Sequence, residues 1–574
     1  MSLASDQWSG IIAASRRPLH AVSMPSPRRL ETIWPLLAAP TTGDRWYLAR
    51  RRGCLGTKLT TSADPGGFGN ADTAGHEISQ FKSFSKTSGQ STSVMRGTML
   101  KLRTLSGEIT ELADDQLAEL RMTFRGRLLA PQDDGYDQAR VVQNGLIDRR
   151  PGLIVQCSGT ADVIDAVNLA RERQLLTSVR AGGHSIAGYG VGDDALMLDL
   201  SAMRAVWVDP DARTVRVQGG ATWGDVDRET QAFGLAVPGG IVSTTGVAGL
   251  TLGGGIGWLH RAYGLACDHL RSVEIVTADG QLRRASEAEN ADLFWAVRGG
   301  GGNFGVVTTF EFTAHPLGPV VPVAAVMYPV DNAGELFRAW RAWASSAPDE
   351  AMSRAVFWWM PETPLLPPAV HNQQVFIVAA IYTGSPDKGQ QVLQPLRELG
   401  TPLLDLGTEM PFRMFQAAFD PFFPKGLLAS YWKSIYLNEL TDDLIDLIVQ
   451  RVAQRPSPLT IVHVPMLGGA MSTVAATATA FGDRSAPFML SLDGNWVDPA
   501  DTADNVAWVR EVISQVEGFS VAGGTYLNFS GQEETAAAEL VQAAFGDNLH
   551  RLTEIKNRYD PGNLFRLNNN ITPA

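Results

Sequence analysis

The sequence predicts an α+β protein of at least two domains, and three observations carry that prediction. At 574 residues the chain exceeds what one hydrophobic core supports, since single cores stop growing near roughly 250–300 residues. Apolar runs of strand length alternate with stretches whose apolar residues recur at helical spacing. Near residue 318 the composition changes: glycine, clustered between 182 and 305, thins out, and Trp and Phe thicken.

The first 103 residues stand apart. They carry 14 Lys+Arg against 6 Asp+Glu, arranged as Arg16-Arg17, Arg28-Arg29 and Arg50-Arg51-Arg52 among Ser, Thr, Gly and Pro, with no sustained periodicity. The stretch from Arg28-Arg29-Leu30 to Pro40 is similar to a twin-arginine signal, but its apolar part is short and broken by Pro35 and Pro40. The expectation is a disordered extension over 1–103, with Met95 or Met99 as alternative starts.

From about 104 the pattern becomes ordered. Leu117–Leu129 reads as a helix. Residues 149–175 read as an apolar strand, a Gly-Thr turn and an amphipathic helix with Val163, Ala166, Val167 and Ala170 on one face. "LLTSVRAGG" (175–183) is a strand ending in glycines. Short strands follow at "ALMLDLS", "AVWVDP" and "TVRVQGG", then a helix "TWGDVDRETQAFG" with Trp223 to Phe233 on its buried side. Residues 270–286 form a hairpin turning at Asp279-Gly280. Beyond 318, "VFIVAAIYTG" and "LTIVHVPMLGG" alternate with helices such as "TDDLIDLIVQRVAQ", the pattern of a mixed sheet covered by helices. A helix "NLHRLTEIKNRYD" and the tail "LFRLNNNITPA" close the chain.

Three glycine-bearing stretches suggest chemistry. In "VRAGGHSIAG" (179–188) a strand runs into Ala181-Gly182-Gly183, where backbone N–H groups can converge on an anion, and His184 and Ser185 follow at once. By itself Gly-Gly-His is more often a solvent-facing turn. "GGIVSTTGVAGLTLGGGIGW" (239–258) would let the backbone pass flat against a ligand, and Leu250, Leu252, Ile256 and Trp258 are too apolar for a solvated linker. In "GGGGNFG" the residues Gly300, Gly302 and Gly305 satisfy G-x-G-x-x-G, but a helix precedes them and a strand follows. That is the reverse of the dinucleotide fingerprint, so a Rossmann unit is rejected.

Taken in order, R-x-G-G-H-S (180–185), V-x-G-G-A-T-W-G-D-V (217–226), the glycine loop, "YGLACDHL" (263–270), "DLFWAVRGGGGNFGVVT" and "RYDPGNLFRLNNNI" resemble the FAD-linked oxidases of the vanillyl-alcohol oxidase/PCMH superfamily. The resemblance is closest to the berberine-bridge-enzyme-like branch and spans roughly 105–574. It implies a PCMH-type FAD domain of two subdomains over 104–317, with its core from about 147. A substrate domain on an antiparallel sheet covered by helices would follow over 318–520, and a segment returning to the flavin over 521–574. It also implies that Ala181, Gly182, Gly183 and Ser185 hold the pyrophosphate and that His184 bonds the flavin 8α-methyl. Gly246, Gly249, Gly254 and Val307 would line the cofactor, with Asn568 and Asn570 returning to it.

Two departures matter. Many relatives attach FAD a second time through a cysteine in Gly-x-Cys. Here Gly240-Ile241-Val242 puts Val242 at that place, so a single histidyl bond is expected, which leans toward smaller substrates. Three residues on, where the branch has a valine or leucine that influences oxygen access, stands Thr245, leaving O2 or another electron acceptor open.

For catalysis, "TYLNFS" (525–530) is similar to the family's Y-x-N-Y motif. Tyr526 is the expected proton acceptor, if a neighbour lowers its pKa, and Asn528 would hydrogen-bond the substrate or the ring; Phe529 replaces the second tyrosine. The alternative is a strand tyrosine with a satisfied hydroxyl. Lys433 either faces the cavity and tunes Tyr526 or snorkels to solvent. His463 reads as a core histidine, and Arg484 and Asp493 as structural residues.

The body after residue 103 is acidic, 34 Lys+Arg against 54 Asp+Glu within an overall charge of −12, which argues against a nucleic-acid partner. Cys54, Cys157 and Cys267 make neither a disulfide framework nor a C-x-x-C pair, as befits a cytoplasmic protein. No apolar run reaches the length of about 18 residues that a membrane span needs. The partners expected are a small-molecule substrate and an electron acceptor, with no metal. Two rival readings keep the fold: a nicotinamide-linked reductase, and a flavin-loaded protein with no catalytic role.

Overall fold

The computed structural model describes residues 99–520, 524–531 and 537–574. The described residues include a strand ahead of the expected boundary at 103. The strand Leu100–Arg103 pairs antiparallel with Ile109–Leu112, its Leu102 is buried, and Arg103 bridges to Asp194 at 2.7 Å. Cys54, Met95 and the twin-arginine-like stretch lie outside the described residues.

Two small sheets build the first part of the chain. In one, Arg127–Leu129, Leu153–Gln156, Leu196–Asp199 and Thr177–Arg180 lie side by side, the last three parallel. The helix Thr160–Glu172 makes the crossover these parallel strands require and buries Val163, Ala166, Val167 and Ala170, the face that the periodicity marked. The second sheet is antiparallel and five-stranded, ordered Leu282–Ser286, Leu270–Val276, Val306–Thr313, Thr214–Gln218 and Val206–Asp209. The helix expected over Leu117–Leu129 is shorter: Asp114–Thr123 is helical, and Phe124-Arg125-Gly126 leads into the strand Arg127–Leu129. Gly126 has no room for a side chain there, because a Cβ would stand 1.9 Å from the Gln156 carbonyl.

The second part is one antiparallel sheet. Its order is Leu404–Asp405, Val321–Pro329, Gln374–Tyr382, Ala351–Trp359, Ile461–Pro465, Phe488–Trp496 and Ala429–Leu437. One face is covered by the helices Ala333–Ala344, Asp442–Val452 and Thr502–Val516, whose Phe337, Trp340, Ile445 and Val509 form a core with Phe357, Leu490 and Leu492. Because strand side chains alternate, the opposite face carries the other set: Arg354, Ser430, Trp432, Ser434, His463, Ser491, Asp493 and Asn495. That polar, aromatic face meets the glycine loops.

The chain then returns. "TYLNFS" forms a 3-10 turn at Leu527–Phe529 instead of a strand. The helix Asn548–Tyr559 follows. Its Lys556, fully buried, donates to Asn303 O at 2.8 Å, to Phe565 O at 3.1 Å and to Asp560 at 2.7 Å. Asp560 in turn accepts the Leu564 and Phe565 N–H groups. This buried pair fastens the tail to the third glycine run.

Candidate functional site: a glycine-walled cavity

The strand Thr177–Arg180 ends on a buried ion pair. Arg180 donates to both oxygens of Asp199, at 2.6 and 3.2 Å, and to Val141 O. On this anchored base the chain turns through Ala181-Gly182-Gly183, with Gly183 at φ +73°. Gly182 and Gly246 press backbone to backbone: a Cβ on either would stand 2.4 Å from the other's amide nitrogen. Only glycine permits that approach, which brings the first two glycine loops together as one wall. Around Gly249 and Gly302 a side chain would meet nothing, so both open onto the cavity they line.

The cavity measures about 320 Å³ and is lined by Ala181, Gly182, Gly183, His184, Ser185, Gly246, Gly249, Val307 and Asn568 of the expected cofactor residues. Two expected residues do not line it. Gly254, at φ +106°, abuts the Phe481 ring, and Gly253 takes its place on the wall. Asn570 does not line the cavity, whereas its neighbours Asn568 and Asn569 do. The side-chain oxygen of Asn568 is buried with no hydrogen-bond partner while its amide donates to Phe565 O, leaving an acceptor ready for a ligand.

His184 is half-buried in the wall. Its Nδ1 lies 3.4 Å from the Thr245 hydroxyl, and its ring also meets the Thr244 backbone. Burial, aided by the Lys425 ammonium, pushes its pKa down to about 4, so the imidazole is neutral at physiological pH with a lone pair available. Val242, which the resemblance sets in the place of the relatives' attaching cysteine, lines the cavity. Cys157 and Cys267 are buried elsewhere, and burial drives both thiols up, away from the reactive thiolate.

The wall opposite is built by Tyr526, Asn528, Phe529, Trp432 and Asp493. Tyr526 is fully buried, and its hydroxyl accepts from Ile256 N–H at 3.0 Å and from Asn528 Nδ2 at 2.9 Å. Burial outweighs these donors and lifts the phenol to about 12, so the lowered pKa expected of it is not found. Asn528 also donates to Leu250 O at 3.1 Å, pinning the short helix Val247–Leu252 of the second glycine loop. Lys433 is not brought to the site. It alternates with Trp432 and so points to the helix-covered face, beside Tyr431, Ile435 and Leu492.

Asp493, read from sequence as structural, is the one carboxylate among the described residues lining the cavity. It accepts the Ser491 hydroxyl at 2.6 Å, and its other oxygen is 3.3 Å from His463 Nε2. Arg354, buried and stacked 4.9 Å over Trp258, faces Asp493 and Tyr526, with its Nε and one Nη unpartnered. Arg484 is structural as expected, forming a two-pronged pair with Asp268 at 2.7 and 2.9 Å. Alternation within each strand pairs Ser430 with Trp432 and Asp493 with Asn495, and the register between the two strands puts all four on a single face.

Among the described residues no group of three or more His, Cys, Asp or Glu side chains is placed to hold a metal ion. No helix of these residues is long and apolar enough to cross a membrane. The site suits a flavin dinucleotide: side-chain-free loops for the pyrophosphate and ring, a neutral histidine in the wall, and the unpartnered Asn568 oxygen.

Comparison with known proteins agrees. Residues 151–286 match the family model described as an FAD binding domain, and residues 525–572 match that described as berberine and berberine like. The chain is 31% identical to the FAD-linked oxidoreductase YgaK of Bacillus subtilis (strain 168), over 78% of this chain and 97% of the relative. It is 39% identical to (R)-6-hydroxynicotine oxidase of Paenarthrobacter nicotinovorans over 34% of this chain and 43% of that enzyme. The solved 6-hydroxy-D-nicotine oxidase of Arthrobacter nicotinovorans superposes with a TM-score of 0.71 at 27% identity, covering 79% of this chain and 99% of the other. The chain is thus an FAD-linked oxidoreductase and belongs to the berberine-bridge-enzyme-like branch of the PCMH superfamily.

Proposed function

We propose that the protein carries FAD on a single histidyl bond at His184 and oxidises an alcohol, sugar, amine or related carbon of a small molecule, passing the electrons to O2 or another acceptor. The observation that carries it is the neutral imidazole of His184, set in the cavity wall and oriented by Thr244 and Thr245. His184 would hold the flavin by a bond from its imidazole nitrogen to the 8α-methyl carbon, in place of one hydrogen there and the imidazole N–H hydrogen; both would leave as protons, and the two electrons would go to the enzyme's acceptor. With Val242 at the alternative attachment point, one bond is all this chain offers.

Bound flavin supplies a hydride acceptor; the chain supplies position and proton handling. Ala181, Gly182, Gly183 and Ser185 hold the pyrophosphate, and Gly246, Gly249, Val307 and Asn568 line the remainder. Tyr526, raised to about 12 and already accepting two N–H groups, serves better as a clamp on the second glycine loop than as a base. Asp493, a carboxylate on the cavity wall, is the better proton acceptor for the substrate's O–H or N–H, with Trp432 and Phe529 walling the substrate. A cytoplasmic location is proposed on cysteine usage alone.

Acid precipitation tests the tether. Yellow, fluorescent flavin should pellet with the wild type and stay in the supernatant of H184A. Release from both would contradict a covalent bond and favour the nicotinamide-linked reductase. Retention by both would move the bond to another residue.

A further inference from the structure

We propose that Asp420, supplied by the substrate-domain part of the chain, is the positioning residue for flavin attachment at His184, acting through the loop Ser243-Thr244-Thr245. The inference rests on the histidyl bond proposed above and adds what sets its geometry.

The orientation of the His184 ring is fixed by this loop, through the Thr245 hydroxyl at 3.4 Å and the Thr244 backbone. Two supports fix the loop itself. On one side the first turn of the helix Trp223–Gln231 donates to it, Gly224 N–H to Ser243 O at 2.7 Å and Trp223 N–H to Thr245 O at 2.9 Å. These bonds hold its carbonyls. On the other side Asp420 collects its donors: the Ser243 N–H at 3.1 Å, the Ser243 hydroxyl, and the Thr244 N–H. One carboxylate thereby gathers three hydrogen bonds from two consecutive residues, next to the residue that touches the histidine. Such charge-assisted bonds are about twice as strong as neutral ones.

The surroundings of Asp420 are built to keep it there. Its segment is joined to the same helix by the contact of Phe412–Ala417 with Trp223–Gln231. At that contact Asp227 and Gln416 are fully buried. Burial and the neighbouring Asp420 raise the Asp227 carboxyl well above the usual carboxylate range; burial raises Asp420 as well, but there the three donors of the loop oppose the rise. The helix and the loop therefore meet at a node that the two parts of the chain complete together. Attachment needs the imidazole held in a near-attack orientation, and small misplacements cost large factors in rate. Without Asp420 the Ser243 and Thr244 N–H groups turn to solvent, and Thr245 no longer fixes the ring.

The test compares wild type, D420N, S243A and D227N as full-length proteins. Total FAD per protein is read before acid treatment and acid-stable FAD after it, during incubation with added FAD. In D420N total FAD should match the wild type while the acid-stable fraction accumulates about tenfold more slowly. S243A should move in the same direction by a smaller factor, and D227N, which keeps the side chain's shape where burial disfavours a carboxylate, should behave as wild type. Wild-type attachment in D420N, or a loss that only follows the loss of bound FAD, overturns the proposal for Asp420 while leaving the histidyl bond standing. Flavin release from the wild type overturns both. If D420N does not fold, S243A decides: attachment at the wild-type rate refutes the role of the loop.

Discussion

At the residue scale, the proposed function divides between Asp493 and Tyr526 the work that the sequence assigned to Tyr526 alone. Tyr526 was legible through its motif, and so was its place in the cavity. Its role was not, because the protonation of a phenol depends on burial and on donors such as Ile256 N–H, which lies 270 residues away. The two roles predict different variants. D493N should retain flavin and fold but lower the rate of substrate-driven flavin reduction about a hundredfold, the usual scale of a lost acid–base group. Y526F leaves the Ile256 N–H without its acceptor and should cost about 1–3 kcal/mol of stability, read as a lower Tm, with a smaller effect on rate. The reverse ranking of rates would return the proton to Tyr526. Lys433 shows the limit of reading one strand: "SYWKSIYL" allows either face, and only the register with Phe488–Trp496 turns Lys433 away from the cavity.

At the element scale, strands and helices with strong periodicity were readable, as in Thr160–Glu172, while short apolar pieces such as Arg127–Leu129 merged with a neighbouring helix. The C-terminal return was visible as a motif, yet its fastening was not. Lys556 and Asp560 are both fully buried and four residues apart, a spacing that on an exposed helix marks an ordinary surface pair. K556M strands the Asp560 charge and should cost about 3–5 kcal/mol, seen in denaturant unfolding, together with a lower FAD content of the purified protein as Asn568 loses its support. A second element-level device is the histidine pair between Ala266–His269 and His315–Pro316. His315 Nε2 and His269 Nδ1 are 2.9 Å apart, and His269 Nε2 meets Tyr263 O at 3.0 Å. Burial holds His269 down to about 4, as it does His184 and His260, and lowers His315 as well. The unfolded chain binds these protons near pH 6.5 and the folded chain does not, so this stability is present above about 6.5 and drains away as pH falls toward 4. Tm should drop between pH 7 and pH 5, and less steeply in H269Q. An equal slope in both would exclude the pair.

At the scale of the whole molecule, the site is assembled where the glycine loops of the first part meet the uncovered face of the second part's sheet. The order of glycine motifs made the first half of this meeting legible. The second half was not, since Trp432, Asp493 and Asp420 acquire meaning only from pairings between strands and segments far apart in sequence. The contact of Gly182 with Gly246 expresses the same dependence, two loops separated by 64 residues and touching backbone to backbone. The most direct measurement of the central claim is peptide mapping of the purified wild-type protein by mass spectrometry. The peptide spanning Ala181-Gly182-Gly183-His184 should be heavier by one flavin, with fragmentation placing the addition on His184 and every other peptide unmodified. An unmodified His184 peptide from flavin-loaded protein would contradict it.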